Sequence, residues 1–156
     1  MCGIAGRVGS SAGSKNAVTA AINSLAHRGP DDQGYFTAPG VELGMVRLAI
    51  IDVAHGQQPK QDSTGKIEIV FNGEIYNFQS LRRECEAAGD RFRSHSDTEV
   101  ILALYRRHGV DCLHKLRGMF AFALWDESRK RLFFARDRVG KKPFNYALVN
   151  GGIVFC

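Results

Sequence analysis

Apolar positions along this chain change period several times, and each change marks an element. Residues 3–9 form a short apolar run that predicts a strand, and a Gly/Ser stretch covers 9–14. From Asn16 onward, Ala17, Val18, Ala21, Ile22 and Leu25 recur at helical spacing, and Gly29-Pro30 stops that helix. Segments 34–38 and 41–48 predict strands joined at Pro39-Gly40, and 67–72 predicts another after a polar turn at 62–65. Three helical stretches follow. The first, 78–88, carries Leu81, Cys85 and Ala88 on one face and ends at Gly89. The second, 98–108, carries Val100, Ile101, Leu104 and Tyr105 and ends at Gly109. The third is short, at 112–116. Strands return at 119–126, 131–136, 144–149 and 153–155, the last two joined by the turn Asn150-Gly151-Gly152. Hairpin-linked strands predict antiparallel sheets, with helices placed between the strand groups, so the fold class is α+β in layers. The run 119–125 is apolar throughout, as in a strand covered on both faces. Pattern alone does not choose the topology.

Composition narrows the class. The 156 residues, with no repeat, low-complexity segment or linker, predict one domain over 1–156. Hydrophobic residues make up 44%, and ten Phe with four Tyr can fill a core. The formal charge of +5 invites a nucleic-acid reading. The basic residues, however, sit in short groups (Arg82-Arg83, Arg106-Arg107, Arg129-Lys130-Arg131, Lys141-Lys142) with acidic residues close to most of them. They read as surface or partner-docking charge, and no nucleic-acid partner is expected. Cys2, Cys85, Cys112 and Cys156 match no zinc or redox spacing, so no metal is expected. Cys85 and Cys112 read as packing on helix faces. No charged leader with an apolar stretch stands at the start, and no apolar run approaches the roughly 20 residues that cross a bilayer. The expected location is the cytoplasm, with free thiols and no membrane contact.

The candidate chemistry begins at Met1-Cys2-Gly3-Ile4. Removal of Met1 gives Cys2 both a thiol and a free α-amine, and α-amines titrate near about 7.7–8.0. Such an amine takes the thiol proton and returns it to a leaving amine, so one residue supplies nucleophile and base. An amide attacked by thiolate forms an oxyanion that needs fixed N–H donors. Asn72 offers a side-chain amide and Gly73 an unobstructed backbone N–H. Arg47 can grip a carboxylate with two prongs, and Asp97 can accept from an ammonium. Each residue also has a plainer reading. Asn72-Gly73 reads as a turn, Ser96 with Glu99 as a capping box, Asp97 as a first-turn acid facing the helix dipole, and Arg47 as an edge-strand charge.

Taken together, Met-Cys-Gly-Ile, His27-Arg28-Gly29-Pro30-Asp31, Arg47-Leu48-Ala49-Ile50-Ile51-Asp52, Phe71-Asn72-Gly73-Glu74-Ile75-Tyr76-Asn77, Ser96-Asp97-Thr98-Glu99-Val100-Ile101, Gly118-Met119-Phe120-Ala121-Phe122-Ala123 and Arg136-Asp137-Arg138-Val139-Gly140-Lys141-Lys142-Pro143 closely resemble the glutaminase domain of glutamine-hydrolysing asparagine synthetases. These are class II amidotransferases with an N-terminal-nucleophile hydrolase fold, and the resemblance runs from Cys2 to Phe155. It implies a four-layer αββα sandwich of two antiparallel sheets. It implies Cys2 as nucleophile, Asn72 and Gly73 as the oxyanion hole, and Arg47 and Asp97 as clamps on the α-carboxylate and α-ammonium of L-glutamine. Leu48, Ala49, Ile50, Ile51 and Glu74 would line the same pocket. The segment 27–31 points to the synthetase branch of the class over the sugar-aminating one. The implied activity is hydrolysis of glutamine to glutamate, with ammonia passed to an ATP-dependent synthetase domain making asparagine. No cofactor is implied for this half; ATP and Mg belong to the separate synthetase domain, in the same or a partner chain. No Ser-Gly-Gly-type pyrophosphate loop occurs here, and the family's domain runs a little further than Cys156. Pro143-Phe144-Asn145-Tyr146 also departs from the usual Pro-Leu-Tyr-Tyr-like run. Homodimer formation is left open. Two other readings stay beside this one: a non-catalytic glutamine-sensing or docking module that keeps Met1, and an amidotransferase of the same class with a different acceptor.

Overall fold

Among the described residues the chain forms nine strands, eight at expected segments and one unexpected at Lys60–Gln61, and three α-helices. A computed structural model describes residues 1–9 and 16–156, so most of the expected Gly/Ser stretch at 9–14 lies outside the described residues. The elements are β1 (Gly3–Val8), α1 (Asn16–Ser24), a 3-10 turn (Ala26–Arg28), β2 (Asp32–Ala38), β3 (Val41–Arg47), β4 (Lys60–Gln61), β5 (Ile67–Ile75), α2 (Phe78–Ala87), α3 (Asp97–His108), a 3-10 turn (Gly109–His114), β6 (Gly118–Asp126), β7 (Arg131–Arg136), β8 (Tyr146–Val149) and β9 (Gly152–Phe155).

Every strand pairing is antiparallel. One sheet has the order β2-β3-β1-β9-β8 and the other β4-β5-β6-β7. The two sheets face each other. Ile4, Leu43 and Met45 from the first meet Val70, Ala121, Ala123 and Trp125 from the second. The outer face of the second sheet is covered by α2 and α3, where Ile69, Phe71, Phe120, Phe122 and Leu124 pack on Leu81, Ile101, Leu104 and Tyr105. Helix α1 covers the first sheet through Val18 and Ile22 against Ala5 and Val46. The result is the expected four-layer αββα sandwich.

Strand β6 explains the apolar run at 119–125. Its Phe120, Phe122 and Leu124 point to the helices, while Ala121, Ala123 and Trp125 point into the gap between sheets. Each large side chain fully buried this way contributes about 1.5–3 kcal/mol. At the far side, Phe144 stacks between Phe134 (5.1 Å) and Phe155 (5.3 Å) and closes one end of the same gap.

Several boundaries differ from the pattern, among them the start of β2, at Asp32 where 34 was expected, and that of β8, at Tyr146 where 144 was expected. Helix α1 ends at Ser24 and continues as a 3-10 turn, with Arg28 N–H on the Leu25 carbonyl at 2.8 Å, before Gly29 is reached. The stretch expected to be a short helix near 112–116 is the 3-10 turn Gly109–His114. Strand β5 runs on through Asn72-Gly73 to Ile75, so that dipeptide is not a turn. Phe120 opposite Gly73, and Met119 opposite Glu74, hold it extended. No helix of the described residues is long and apolar enough to cross a membrane.

Candidate active site

Cys2 stands immediately before β1, the middle strand of the first sheet. Its neighbour Gly3 pairs with Val46, so the terminus is tied into the sheet. The sulfur lies against one residue of the facing loop: Leu48 N–H donates to Sγ at 3.4 Å, and Sγ approaches the Leu48 carbonyl at 3.7 Å. The Cys2 carbonyl accepts from Arg28 Nε at 3.1 Å. The segment 27–31 therefore acts as a brace for Cys2 and its facing loop. Asp31 N–H donates to the Arg47 carbonyl at 3.0 Å, and the Asp31 carboxylate accepts from Ala49 N–H at 2.9 Å. Gly29 makes the close approach possible, because a Cβ there would sit 2.6 Å from backbone atoms of Val46 and Arg47. The Gly29→Ala variant is expected to lose about 1–3 kcal/mol, as overpacked sites do. Thermal denaturation checks this as a lowered Tm.

Arg47 ends β3 and is 5% exposed. Its guanidinium gathers the following loop: Nη1 donates to Val53 O (3.1 Å), and Nη2 donates to Ile51 O (3.1 Å) and Asp52 O (2.8 Å). Two of its five N–H donors are not engaged by these carbonyls. Asp52 closes the loop from the other side, its carboxylate accepting from His95 N–H (2.7 Å) and His55 N–H (3.1 Å). The His95 N–H is the main reason this carboxyl stays below its ordinary range.

The edge of β5 supplies the next part. Strand β4 covers β5 only as far as Ile69, so the edge from Phe71 to Ile75 is open to side chains. Gln58 Oε1 accepts from Phe71 N–H at 2.7 Å, and Asp97 Oδ2 accepts from Ile75 N–H at 3.0 Å. Alternate N–H groups of a strand point the same way, so Gly73 N–H projects from this edge between the two. A Cβ on Gly73 would lie 2.3 Å from the Met119 carbonyl. Asn72 has the opposite side-chain sense and shares the face of Val70, toward the inter-sheet gap into which Cys2 also packs.

Asp97 opens α3. The helix is capped by Ser96, whose Oγ accepts from Thr98 N–H at 3.2 Å. The reciprocal half of a capping box does not form. Glu99 turns back to Arg93 N–H, Ser94 N–H and Ser94 Oγ, and ties down the loop ahead of the helix. Asp97 is buried, and burial pushes its carboxyl up to about 6 from an ordinary 3.8, against the opposing effect of the N–H groups of Ile75, Thr98 and its own backbone.

These parts border one cavity of about 150 Å³. Cys2, Arg47, Leu48, Ile50, Ile51, Asn72, Gly73, Glu74 and Asp97 all line it, together with Met1. Ala49 does not; its N–H is turned to Asp31 instead. Gln58, Thr98, Met119 and Lys142 line it too, although none of them is among the site residues expected from the sequence. Gln58 falls in a polar stretch with no periodicity. Lys142 belongs to a basic pair that reads as surface charge, yet it is 6% exposed. Cys85 and Cys112 are buried among the helices, as their spacing predicts, and burial pushes the Cys112 thiol up to about 12. Among the described residues no group of three or more His, Cys, Asp or Glu is placed to hold a metal.

Several known proteins resemble this chain. Asparagine synthetase [glutamine-hydrolyzing] 1 of Bacillus subtilis (strain 168) is 47% identical over 85% of this chain, and over 21% of its own length. Asparagine synthetase [glutamine-hydrolyzing] 3 of the same organism is 41% identical over 99% of this chain and 26% of its own. This chain thus spans about a fifth to a quarter of those relatives. Among solved structures, the glutamine phosphoribosylpyrophosphate amidotransferase from B. subtilis, complexed with ADP and GMP, superposes with a TM-score of 0.82. The match covers 99% of this chain and 41% of that one, at 21% identity, a likeness of fold that agrees with the four-layer αββα sandwich. The family model for the glutamine amidotransferase domain matches residues 1–156, and the chain belongs to that family.

Proposed function

We propose that this chain, once Met1 is removed, hydrolyses L-glutamine to glutamate and ammonia through a thioester on Cys2. The α-amine of Cys2 takes the thiol proton as sulfur attacks the side-chain amide carbon. The carbonyl oxygen becomes an oxyanion, met by Asn72 Nδ2 and Gly73 N–H. The protonated α-amine then gives its proton to the departing nitrogen, and ammonia leaves as the C–S bond is kept. Water, activated by the same amine, hydrolyses the thioester and releases glutamate. Arg47 offers its remaining N–H donors to the α-carboxylate of the substrate, and Asp97 accepts from the α-ammonium. Holding both ends of the substrate fixes its amide beside sulfur.

The observation that carries this reading is the edge of β5. The N–H groups on either side of Gly73 are already satisfied by Gln58 and Asp97, while that of Gly73 projects from the same edge beside the cavity that Cys2 lines. Met1 lines the cavity as well, and its excision enlarges the space beside the new amine.

The ammonia is proposed to go to an ATP-dependent synthetase domain that makes asparagine, as the names of the similar proteins suggest. That domain would belong to the same or a partner chain, with residues 1–156 acting as the glutaminase unit. ATP and Mg would be needed there and no cofactor here. The proposed setting is the cytoplasm, where the free thiols of Cys2, Cys85, Cys112 and Cys156 stay reduced. A glutamine-mimicking electrophile tests the reading. Intact mass should show loss of Met1, and peptide mapping should place one label on Cys2, with glutamine protecting it. A retained Met1, or label elsewhere that glutamine does not affect, overturns it.

A further inference from the structure

Strand β4 stops early, and its register shows what the early stop leaves open. Lys60 pairs with Ile69 and Gln61 with Glu68. Asp62 N–H donates to the Ile67 carbonyl at 2.9 Å, which fixes the phase of the ladder. Hydrogen-bonded pairs alternate along an antiparallel ladder. Continued in this register, the next two such pairs would be Gln58 with Phe71 and Gly56 with Gly73. The second of them would cover the Gly73 N–H with a backbone carbonyl.

The chain leaves the ladder before that happens. The Gln58 carbonyl turns to the first sheet, where a Cβ on Gly34 of β2 would sit 1.9 Å from it. Gly56 turns into the loop that Arg47 gathers: its N–H donates to the Asp52 carbonyl at 2.8 Å, and a Cβ there would lie 2.2 Å from Arg47 Nη2. Phe71 is buried, so its N–H needs a replacement for the carbonyl that Gln58 has withdrawn. The side chain of the same residue supplies it. Gln58 Oε1 accepts from Phe71 N–H at 2.7 Å, and Gln58 Nε2 donates to Thr98 Oγ1 at 3.4 Å. Both side chains are buried, Gln58 at 7% exposure and Thr98 at 1%. Thr98 follows Asp97, which holds the Ile75 N–H. The N–H groups flanking that of Gly73 are thus both tied to the first turn of α3.

We infer that Gln58 is a positioning residue of the oxyanion hole: its side chain ends the β4 ladder one hydrogen-bonded pair short of Gly73 and occupies the Phe71 N–H, so that the donor presented to the substrate amide oxygen is that of Gly73. The inference rests on the glutaminase reading, and gives Gln58 no part in bond making. Phe71 lines the same cavity, and residues two apart in a strand stand about 6.8 Å from each other. Without Gln58 the wall offers two donor stations, and an amide oxygen that takes the one at Phe71 lies out of reach of Gly73. The ground-state clamps, Arg47 and Asp97, are not touched by this change. The effect therefore falls on the step that forms the oxyanion.

The experiment compares wild type with Gln58→Met, which keeps the length of the side chain and offers Phe71 no oxygen. Three rates are read in the processed protein: glutamine hydrolysis, labelling of Cys2 by the chloroketone analogue of glutamine, and alkylation of Cys2 by iodoacetamide. The chloroketone oxygen needs the hole as sulfur adds to it; iodoacetamide does not. The Met variant should lower kcat about tenfold with KM within about twofold of wild type. Its chloroketone labelling should fall about tenfold relative to iodoacetamide. A folded variant, by circular dichroism, with the wild-type ratio of the two labelling rates overturns the inference. A merely structural glutamine would lower Tm or raise KM and leave that ratio in place, which overturns it equally. Should the Met variant not fold, Gln58→Leu is read in the same way. Amide hydrogen exchange in the wild type decides without any variant: the Phe71 and Ile75 N–H groups should be protected, and that of Gly73 should exchange at least about tenfold faster. A Gly73 N–H as protected as its neighbours overturns the inference. A wild type with neither turnover nor glutamine-protected labelling sinks the proposed function and this inference with it, whereas normal turnover in both proteins sinks the role of Gln58 alone.

Discussion

The Cys2→Ala variant is expected to show no measurable glutamine hydrolysis and a Tm within a few degrees of wild type. The first half follows because nothing else in the cavity can replace a thiolate that carries its own base. Ser96 and Thr98 also line the space, but the Ser96 hydroxyl is used as the cap of α3, and Thr98 Oγ1 is the partner of Gln58 Nε2. The other buried thiols lie in the helix layer, on the far side of β5 and β6, and burial raises both out of the reactive range. The second half follows because Cys2 is only partly buried, its sulfur makes only weak hydrogen-bond contacts, to Leu48, and the Cβ that alanine keeps still packs at the edge of the inter-sheet core. Losing them costs well under about 1 kcal/mol, which for a domain of this size is no more than a few degrees. Cys2→Ser is expected to fail almost as badly, since a hydroxyl yields its proton to an α-amine far less readily than a thiol does. Turnover of glutamine by a spectrophotometric glutamate assay is the check. Activity in the Ala variant comparable to wild type would remove Cys2 from the mechanism, whatever the rest of the geometry.

Much of this site was legible in the sequence because its parts lie at places where the chain changes element. Cys2 precedes a strand, Arg47 ends one, Asp97 begins a helix, and such junctions are marked by shifts of hydrophobic period and by capping residues. Asn72-Gly73 shows the limit of that logic. Locally it has turn chemistry, and only the partner strand β6 keeps it extended, a tertiary effect that no window of sequence contains. Gln58 and Lys142 were invisible for related reasons. Gln58 reaches Phe71, thirteen positions further on, past β4 and the turn into β5. Lys142 is turned inward by the carboxylate of Asp137, five residues earlier, and by the clasp of Arg136. Neither arrangement has a periodicity to betray it. The segment 27–31 was read as a family mark; its work as a brace for Cys2 and Ala49 appears only when three separate stretches of chain meet.

The Asp97→Asn variant is expected to separate function from stability in opposite directions. In the folded protein, burial lifts the Asp97 carboxyl to about 6, while its ordinary value is 3.8. A carboxyl whose folded value is raised binds its proton more tightly in the native state. Its contribution to stability is therefore full below about pH 4, falls as pH rises between 3.8 and about 6, and stays lost above that. At pH 7 the buried charge costs on the order of 1–3 kcal/mol. Asparagine is nearly isosteric, its side-chain oxygen can still accept the Ile75 N–H, and it carries no charge to bury. Chemical denaturation at pH 7 should thus find the variant more stable than wild type by about that amount, with the difference vanishing near pH 4. Glutamine use should fall at the same time. A carboxylate that accepts from a substrate ammonium in a low-dielectric pocket is worth a few kcal/mol, so kcat/KM should drop by about 100-fold or more, mainly through KM. The two readouts fail independently. A variant no more stable at pH 7 than at pH 4, relative to wild type, would mean that the carboxylate is not paying a burial penalty. A variant that binds glutamine normally would mean that the charge kept in this wall at such expense serves some other group than the ammonium of the substrate.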